Sequence, residues 1–390
     1  MSGQAPAPAP PRRLRLGMVG GGQGGFIGAV HRLAARIDDQ YEFVAGALSS
    51  DPERGRASAA ALRLDPARAY DSAEAMARAE ALRLDGIDVA AVVTPNHLHA
   101  AAVHALLDAG IHVICDKPMT TTVADAEALA DKAARAGLVL AVAHAYAGYP
   151  MVRHARALAR GGALGRLRTV QVEYAQGWLA TPLEASGHKQ AAWRVDPARS
   201  GPAGAVGDIG THAFHLAEFV TGLRCAALAA ELSRFVPGRA LDDDARMLLR
   251  FDGGARGALW CSQVAVGQEN GLRLRAFGDA GGLEWSQEEP NRLHLFRLGE
   301  PPAVLTRGGP GLGLEAARAT RVPAGHPEGY LEAFAQLYAD LAEQVRARIE
   351  GRAADPASLL LPDAADGLRG VRFVAAAVAS SAADAGWVGL

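Results

Sequence analysis

Cysteine and any surplus of one charge are scarce in this sequence, and each shortage removes a class of function. Three cysteines in 390 residues, Cys115, Cys225 and Cys261, are too few and too far apart for a disulfide framework or a metal knuckle, and their odd number suits a reducing compartment. The 40 Lys+Arg and 42 Asp+Glu residues leave a net charge of −2. The bases, mostly arginine, alternate with acids as on solvated helix faces, so no surface is expected to hold a polyanion and nucleic acid is not an expected partner. Uninterrupted apolar runs are missing too. The uncharged stretches 89–107 and 136–152 are broken by Pro95 and Pro150 and carry histidines, so neither is expected to cross a membrane. Residues 1–13 contain QAPAPAPP and read as a disordered lead-in, not a signal peptide, which makes a cytoplasmic protein the expectation.

What is present is enough apolar material for two cores, with 49% hydrophobic residues. Residues 14–146 predict a doubly wound parallel sheet. The organising stretch is Val89–Pro118, in which a buried strand (89–93), a polar loop (94–99), a helix ending near Gly110 and a second strand (112–115) lead into Asp116-Lys117. Strand, helix, strand of this length forms a right-handed crossover that brings both strand ends to one sheet edge. Ligands of open α/β sheets collect at that edge.

The first strand, Leu14 to Val19, runs into Gly20-Gly21-Gly22-Gln23-Gly24-Gly25 and then an amphipathic helix from Phe26. Gly20, Gly22 and Gly25 satisfy G-x-G-x-x-G, yet with 45 glycines in the chain the spacing alone decides little. Its place between strand and helix is what a pyrophosphate site requires: a tight turn at Gly20, close backbone approach at Gly22 and unpaired N–H groups at the helix start. The second strand, Tyr41 to Leu48, ends in Ser49-Ser50-Asp51, where a dinucleotide fold normally carries an acid for the adenosine ribose. Serines leave room for a 2′-phosphate that Arg54 could approach, while Asp51 and Glu53 would repel it, so NAD and NADP both stay open. Asp51 also precedes Pro52 as a helix cap.

Residues 147–390 change period. Alternating stretches at 169–174, 226–235, 245–251, 257–266, 272–277 and 293–298 predict an α+β domain on a large, mostly antiparallel open sheet. One face of such a sheet needs cover, so a homo-oligomer, dimer or tetramer, is expected through it. Within this half, GPAGAVGDIGTH (201–212) opens an apolar helix. Asp208, His212, His215 and Glu218 would share one face of a continuous helix. Three readings compete: a cap with a packed core histidine, a metal set, or His212 as a general acid/base held by Asp208. The expected zinc spacings are absent.

Taken together, the glycine run, TPNHLH after one strand, DKP after the next and GDIGTH at a helix start resemble the Gfo/Idh/MocA oxidoreductases. The resemblance runs from Leu14 to the closing DGLRGVRFVAAAVASS and Trp387-Val388. It implies an N-terminal Rossmann domain, NAD or NADP as cofactor, and a polyol substrate. The family's usual tripeptide is Glu-Lys-Pro, so Asp116 is a conservative departure and Lys117 matches the catalytic lysine. Asp208 and His212 match the substrate-binding aspartate and the catalytic histidine, while His215 stands where relatives often carry aspartate. By the same resemblance Gly20, Gly22, Gln23, Gly25, Ser49, Ser50, Asp51, Thr94, Pro95, Asn96, His99, Asp116 and Lys117 are expected on the cofactor. Lys117, Tyr146, Trp193, Arg194, Asp208, His212 and His215 are expected on the substrate, and no metal site is expected. The implied activity is oxidation of a secondary ring hydroxyl of a sugar, glycoside or inositol. A redox-neutral sugar-modifying enzyme that retains its NAD and a dinucleotide-sensing regulator on the same fold are the alternatives.

Overall fold

The computed structural model describes residues 12–390, so the QAPAPAPP stretch lies outside the described residues. The first half contains β1 (Leu14–Gly20), α1 (Phe26–Ile37), β2 (Tyr41–Ala47), α2 (Pro52–Ala61), α3 (Ala73–Ala81), β3 (Val89–Val93), α4 (His99–Asp108), β4 (His112–Cys115), α5 (Val123–Ala136) and β5 (Leu140–Val142). Its five strands are all parallel, in the order β2-β1-β3-β4-β5. Every residue of β3 and β4 is buried, which explains why they read as continuous apolar runs: helices cover both faces, so no position alternates outward. Strand order reverses between β1 and β3, and the loops after these strands open a crevice at the sheet's C-terminal edge.

The second half adds α6 (Pro150–Arg160), β6 (Leu167–Ala175), α7 (Lys189–Arg194), α8 (Pro197–Ser200), a π-helical turn (Val206–Gly210), α9 (Thr211–Thr221), β7 (Cys225–Ser233), β8 (Asp244–Phe251), β9 (Arg256–Ser262), β10 (Gly271–Gly278), β11 (Gly281–Ser286), β12 (Arg292–Arg297), β13 (Ala303–Thr306), α10 (Leu314–Arg318), α11 (Tyr330–Ile349), α12 (Ala364–Ala382) and β14 (Val388–Gly389). Nine strands form one open sheet, β13-β12-β11-β10-β6-β9-β8-β7-β14. All neighbours are antiparallel except β6 and β9, which run parallel. Helices α6, α9 and α12 cover one face through Val152, Phe214, Leu216, Phe373 and Val374. The opposite face carries Glu231, Arg246, Leu248, Trp260 and Trp387 around a broad depression of about 750 Å³. Leu248 and Trp387 are exposed on it.

Helix α11 comes late in the chain but covers the first sheet. Phe334, Leu337, Tyr338, Leu341 and Val345 pack with Leu14, Leu16, Met18 and Val89, so the first core is closed by residues 330–349. His31 of α1 bonds the Tyr338 hydroxyl at 2.8 Å. Helix α11 is also tied to α6 by Arg153–Asp340, an ion pair at 2.5 Å with both side chains 0% exposed. The Gln336 amide donates to the second Asp340 oxygen at 2.9 Å.

A buried pair of this kind is most costly when one partner is removed and the other stays charged. Asp340→Ala is expected to destabilise the protein by about 3–5 kcal/mol, read as a lower urea midpoint. An unchanged midpoint would mean that tying α11 to α6 through this pair does not stabilise the protein.

Candidate active site

One cleft of about 1070 Å³ runs from the glycine-rich loop to the start of α9 and is lined by both halves of the chain. Its volume lies at or above the upper end of small-molecule sites, roughly 300–1,000 Å³, which suits a dinucleotide together with a second small molecule. At one end lie Gly20, Gly22, Gln23 and Gly25, with Ser49 and Ser50 from the end of β2. Helix α1 starts from Gly25 with no side-chain cap, so its first N–H groups are free to hold an anion. The loop lies so close to α1 that a Cβ on Gly28 would sit 2.4 Å from Gly21 Cα. A Cβ on Gly22 would meet the Leu48 carbonyl oxygen at 2.6 Å, so the absent side chain here admits the end of β2.

The middle of the cleft is an ion cluster that joins the halves. Lys117 Nζ, on the loop after β4, donates to Asp208 Oδ1 at 2.7 Å and also to the Asp208 backbone carbonyl. The other carboxylate oxygen, Oδ2, accepts from Arg194 Nε at 3.0 Å and from Gln263 Nε2 at 2.8 Å. Burial alone would raise the Asp208 pKa, but the Lys117 ammonium and Arg194 guanidinium outweigh it and hold the carboxylate well below its ordinary range. Asp208 stands on the π-helical turn, whose preceding segment is anchored by Asp242, accepting from Gly204 N–H at 2.6 Å and Val206 N–H at 2.9 Å. Burial raises the Asp242 pKa to about 6. The wider turn breaks the helical register expected from the four-residue spacing. Asp208 therefore bonds Lys117, Arg194 and Gln263, and has no hydrogen bond to His212, which corrects the expectation that it holds the imidazole.

His212 is placed by rings instead. Tyr146 meets it edge-on with centroids 4.8 Å apart, and His144 does so at 5.5 Å. Nδ1 of His212 is buried without a partner. Burial first, and then the Lys117 charge, depress its pKa well below 6.5, with Asp208 opposing, so the ring is neutral and able to accept a proton. Beyond Tyr146 a polar network lines the wall: its hydroxyl lies 2.5 Å from that of Tyr174, which donates to Asn270 Oδ1 at 2.6 Å. Gln176 Nε2 reaches the same oxygen at 2.9 Å, and Trp178 Nε1 donates to Gln176 at 3.0 Å.

Most of the expected residues meet here. Thr94, Pro95, Asn96, Asp116, Lys117, Tyr146, Trp193, Arg194, Asp208 and His212 line the cleft together with the glycine loop and both serines. Three do not. Asp51 spends its carboxylate on the Arg54 N–H at 3.0 Å as the cap of α2, which leaves the ribose end without a carboxylate. His99 is buried between the carbonyls of Pro118 at 2.9 Å and Thr94 at 2.8 Å, so it ties the β3 loop to the β4 loop. His215 turns behind the site, stacked on His144 with centroids 4.1 Å apart, and lines a separate cavity of about 240 Å³ with Glu218. Among the described residues no group of His, Cys, Asp and Glu is arranged to hold a metal ion. Residues not anticipated include Tyr174, Gln176, Trp178, Lys189 and Tyr330. The polar and aromatic cluster Tyr174-Ala-Gln-Gly-Trp178 just past a strand end was the available signal.

Known proteins are similar to this chain over nearly its whole length. Residues 14–144 match the family model described as "Oxidoreductase family, NAD-binding Rossmann fold", and residues 152–284 match the GFO/IDH/MocA C-terminal domain. Uncharacterized oxidoreductase YfiI of Bacillus subtilis (strain 168) is 34% identical over 381 residues, 96% of each chain. The crystal structure of an oxidoreductase from Sinorhizobium meliloti superposes with a TM-score of 0.88 at 49% identity, covering 97% of this chain and 100% of that one. An inositol dehydrogenase homolog from Azotobacter vinelandii, solved with NADH and myo-inositol, gives 0.90 at 38% identity over 97% of this chain and 98% of the other.

The buried histidines also set a pH dependence. Burial lowers His31 and His215 from 6.5 to about 4, and lowers His144 and His212 well below 6.5. Below pH 6.5 the unfolded chain takes up protons that the folded chain refuses, so this stability is present above 6.5 and is lost as pH falls toward 4. Each ring contributes up to about 1.4 kcal/mol per pH unit in that window. The urea midpoint is expected to drop from pH 7 to pH 5, with a shallower drop in His31→Gln; a flat profile would contradict neutral burial.

Proposed function

Because the chain belongs to the Gfo/Idh/MocA oxidoreductases and is an NAD-dependent dehydrogenase of the sugar type, we propose that it oxidises a secondary ring hydroxyl of a sugar, glycoside or inositol at the Lys117–Asp208–His212 cluster. The observation that carries this reading is that the Lys117 ammonium from the first domain and the His212 imidazole from the second line one cleft whose other end is the glycine loop before the uncapped start of α1. When bound, NAD supplies the nicotinamide that accepts hydride from the carbinol carbon.

The remaining steps belong to this chain's residues. Gly20, Gly22, Gln23 and Gly25 with the start of α1 hold the pyrophosphate, Ser49 and Ser50 take the adenosine ribose, and Thr94, Pro95, Asn96 and Asp116 border the nicotinamide half. His212 accepts the hydroxyl proton. Lys117 has three N–H donors, of which the Asp208 carboxylate and carbonyl occupy two; the third stabilises oxygen as negative charge develops on it. Arg194 and Gln263 fix the second Asp208 oxygen, so the carboxylate stays turned toward Lys117. Tyr146, Trp193 and the Tyr174–Gln176–Trp178 wall give the hydroxyl-rich, apolar-faced surface that a polyol ring needs. His215 acts from behind, by packing on His144. The open sheet face with Leu248 and Trp387 is where a second copy of this chain would cover apolar surface, giving the dimer or tetramer.

Purified protein screened against sugars and inositols with NAD and with NADP is expected to reduce the dinucleotide with at least one polyol. Sugar conversion without accumulating NADH would favour the redox-neutral enzyme, and dinucleotide binding without turnover across the panel would favour the sensor. Lys117→Met should lower kcat by about 10²-fold or more, and His212→Gln by about 10²–10⁴-fold, with NADH affinity largely kept. Normal turnover in either variant would remove that residue's assigned role.

A further inference from the structure

Lysine is almost absent from the chain: Lys117, Lys132 and Lys189 are its only three, against 37 arginines. Lys132 pairs with Asp108 on the surface at 2.6 Å, and Lys117 belongs to the Asp208 cluster. Lys189, the first residue of α7, is exposed, lines the cleft, and among the described residues forms no ion pair. Its Nζ lies 3.6 Å from where a Cβ on Gly24 would sit, so an ammonium from the second domain is held against the glycine loop one residue before the uncapped start of α1. A cation facing the positive end of a helix dipole is a like-charge arrangement. It becomes favourable only with an anion between the two.

We propose that Lys189 closes over the pyrophosphate of the bound dinucleotide, making the strap 183–200 a phosphate-dependent clasp between the two domains. The inference rests on NAD as the occupant of the glycine-loop end. The strap is tethered at three other points: Glu184 to Arg239 at 3.0 Å, Arg194 to Asp208 at 3.0 Å, and the Ser200 carbonyl to Asn96 Nδ2 at 2.9 Å. Lys189 and Arg194 are the two ends of α7, separated by roughly 7.5 Å of helix at 1.5 Å per residue. A phosphate held at one end therefore steadies the guanidinium that orients Asp208 at the other. Loading of the cofactor steadies the existing Lys117–Asp208–Arg194 geometry without any substrate contact.

The test needs no substrate. In the wild-type protein, lysine acetylation followed by mass spectrometry should label Lys189 in the free chain and in the presence of adenosine, but not with ADP-ribose or NADH. Lys132 should label throughout as the internal control. Lys189→Ala should weaken ADP-ribose and NADH by roughly ten-fold or more, the scale of a charge-assisted hydrogen bond, with a flatter salt dependence and unchanged adenosine affinity. Lys189→Arg should restore ADP-ribose affinity to within about three-fold, because a guanidinium also makes charge-assisted hydrogen bonds to phosphate. Equal ADP-ribose affinity in Lys189→Ala, or Lys189 labelling that ADP-ribose does not suppress, would overturn the proposal while leaving NAD binding intact. Failure of the wild-type chain to bind ADP-ribose or NADH at all would overturn the NAD occupancy and the clasp together.

Discussion

Asp208 is the charge on which the site's geometry depends. Its two oxygens and backbone carbonyl receive Lys117 from the first domain, Arg194 from the strap and Gln263 from the loop past β9. Gathering two cations and a carboxylate away from water carries a desolvation cost that apolar residues would avoid, and such clusters are weak sources of net stability. Their value lies in orientation. Arg194 is itself held, lying over the Trp193 ring at 4.4 Å and donating to Gln190 Oε1 at 2.5 Å. The Lys117 ammonium, bonded to both Oδ1 and the carbonyl of Asp208, lines the cleft beside it.

Around this cluster the fold solves two problems separately. The parallel sheet brings the ends of β1, β3 and β4 to one edge, so glycine loop, Thr94–Asn96 loop and Lys117 face the same crevice. The nine-stranded sheet supplies a rigid wall from which α9 projects His212, packed between Tyr146 and His144. Neutrality of the imidazole follows from burial and from the Lys117 charge, whereas Asp208 opposes it. An acid bonded directly to the ring would hold a proton on it more strongly. Separating the carboxylate from the imidazole by a π-helical turn thus favours the neutral ring.

Periodicity made most of the scaffold legible. The parallel strands, the glycine loop and the alternating strands β6, β7, β8, β9, β10 and β12 follow from apolar spacing and turn residues, and Lys117 and His212 stood out through the DKP and GDIGTH motifs taken together with the glycine loop. Other features depend on long-range contacts that no local pattern records. Asp208 and His212 are spaced for one helical face, and only the π turn separates them. His99 and His215 look like cleft residues by type, yet backbone carbonyls claim one and the His144 ring claims the other. Helix α11 has an ordinary amphipathic pattern that says nothing of which sheet it covers, and β14, at two residues, is too short to carry a period. The unpaired state of Lys189 is likewise a property of its surroundings and not of its neighbours in sequence.

In the proposed reaction one bound carbinol is flanked by the Lys117 ammonium and the His212 imidazole. A crystal structure of the chain with NADH and an unreacted polyol measures this directly. A single ring hydroxyl within hydrogen-bond distance of both Lys117 Nζ and a His212 ring nitrogen, with its carbon facing the nicotinamide, is the predicted result. A polyol whose hydroxyl next to the nicotinamide contacts neither side chain would contradict the account.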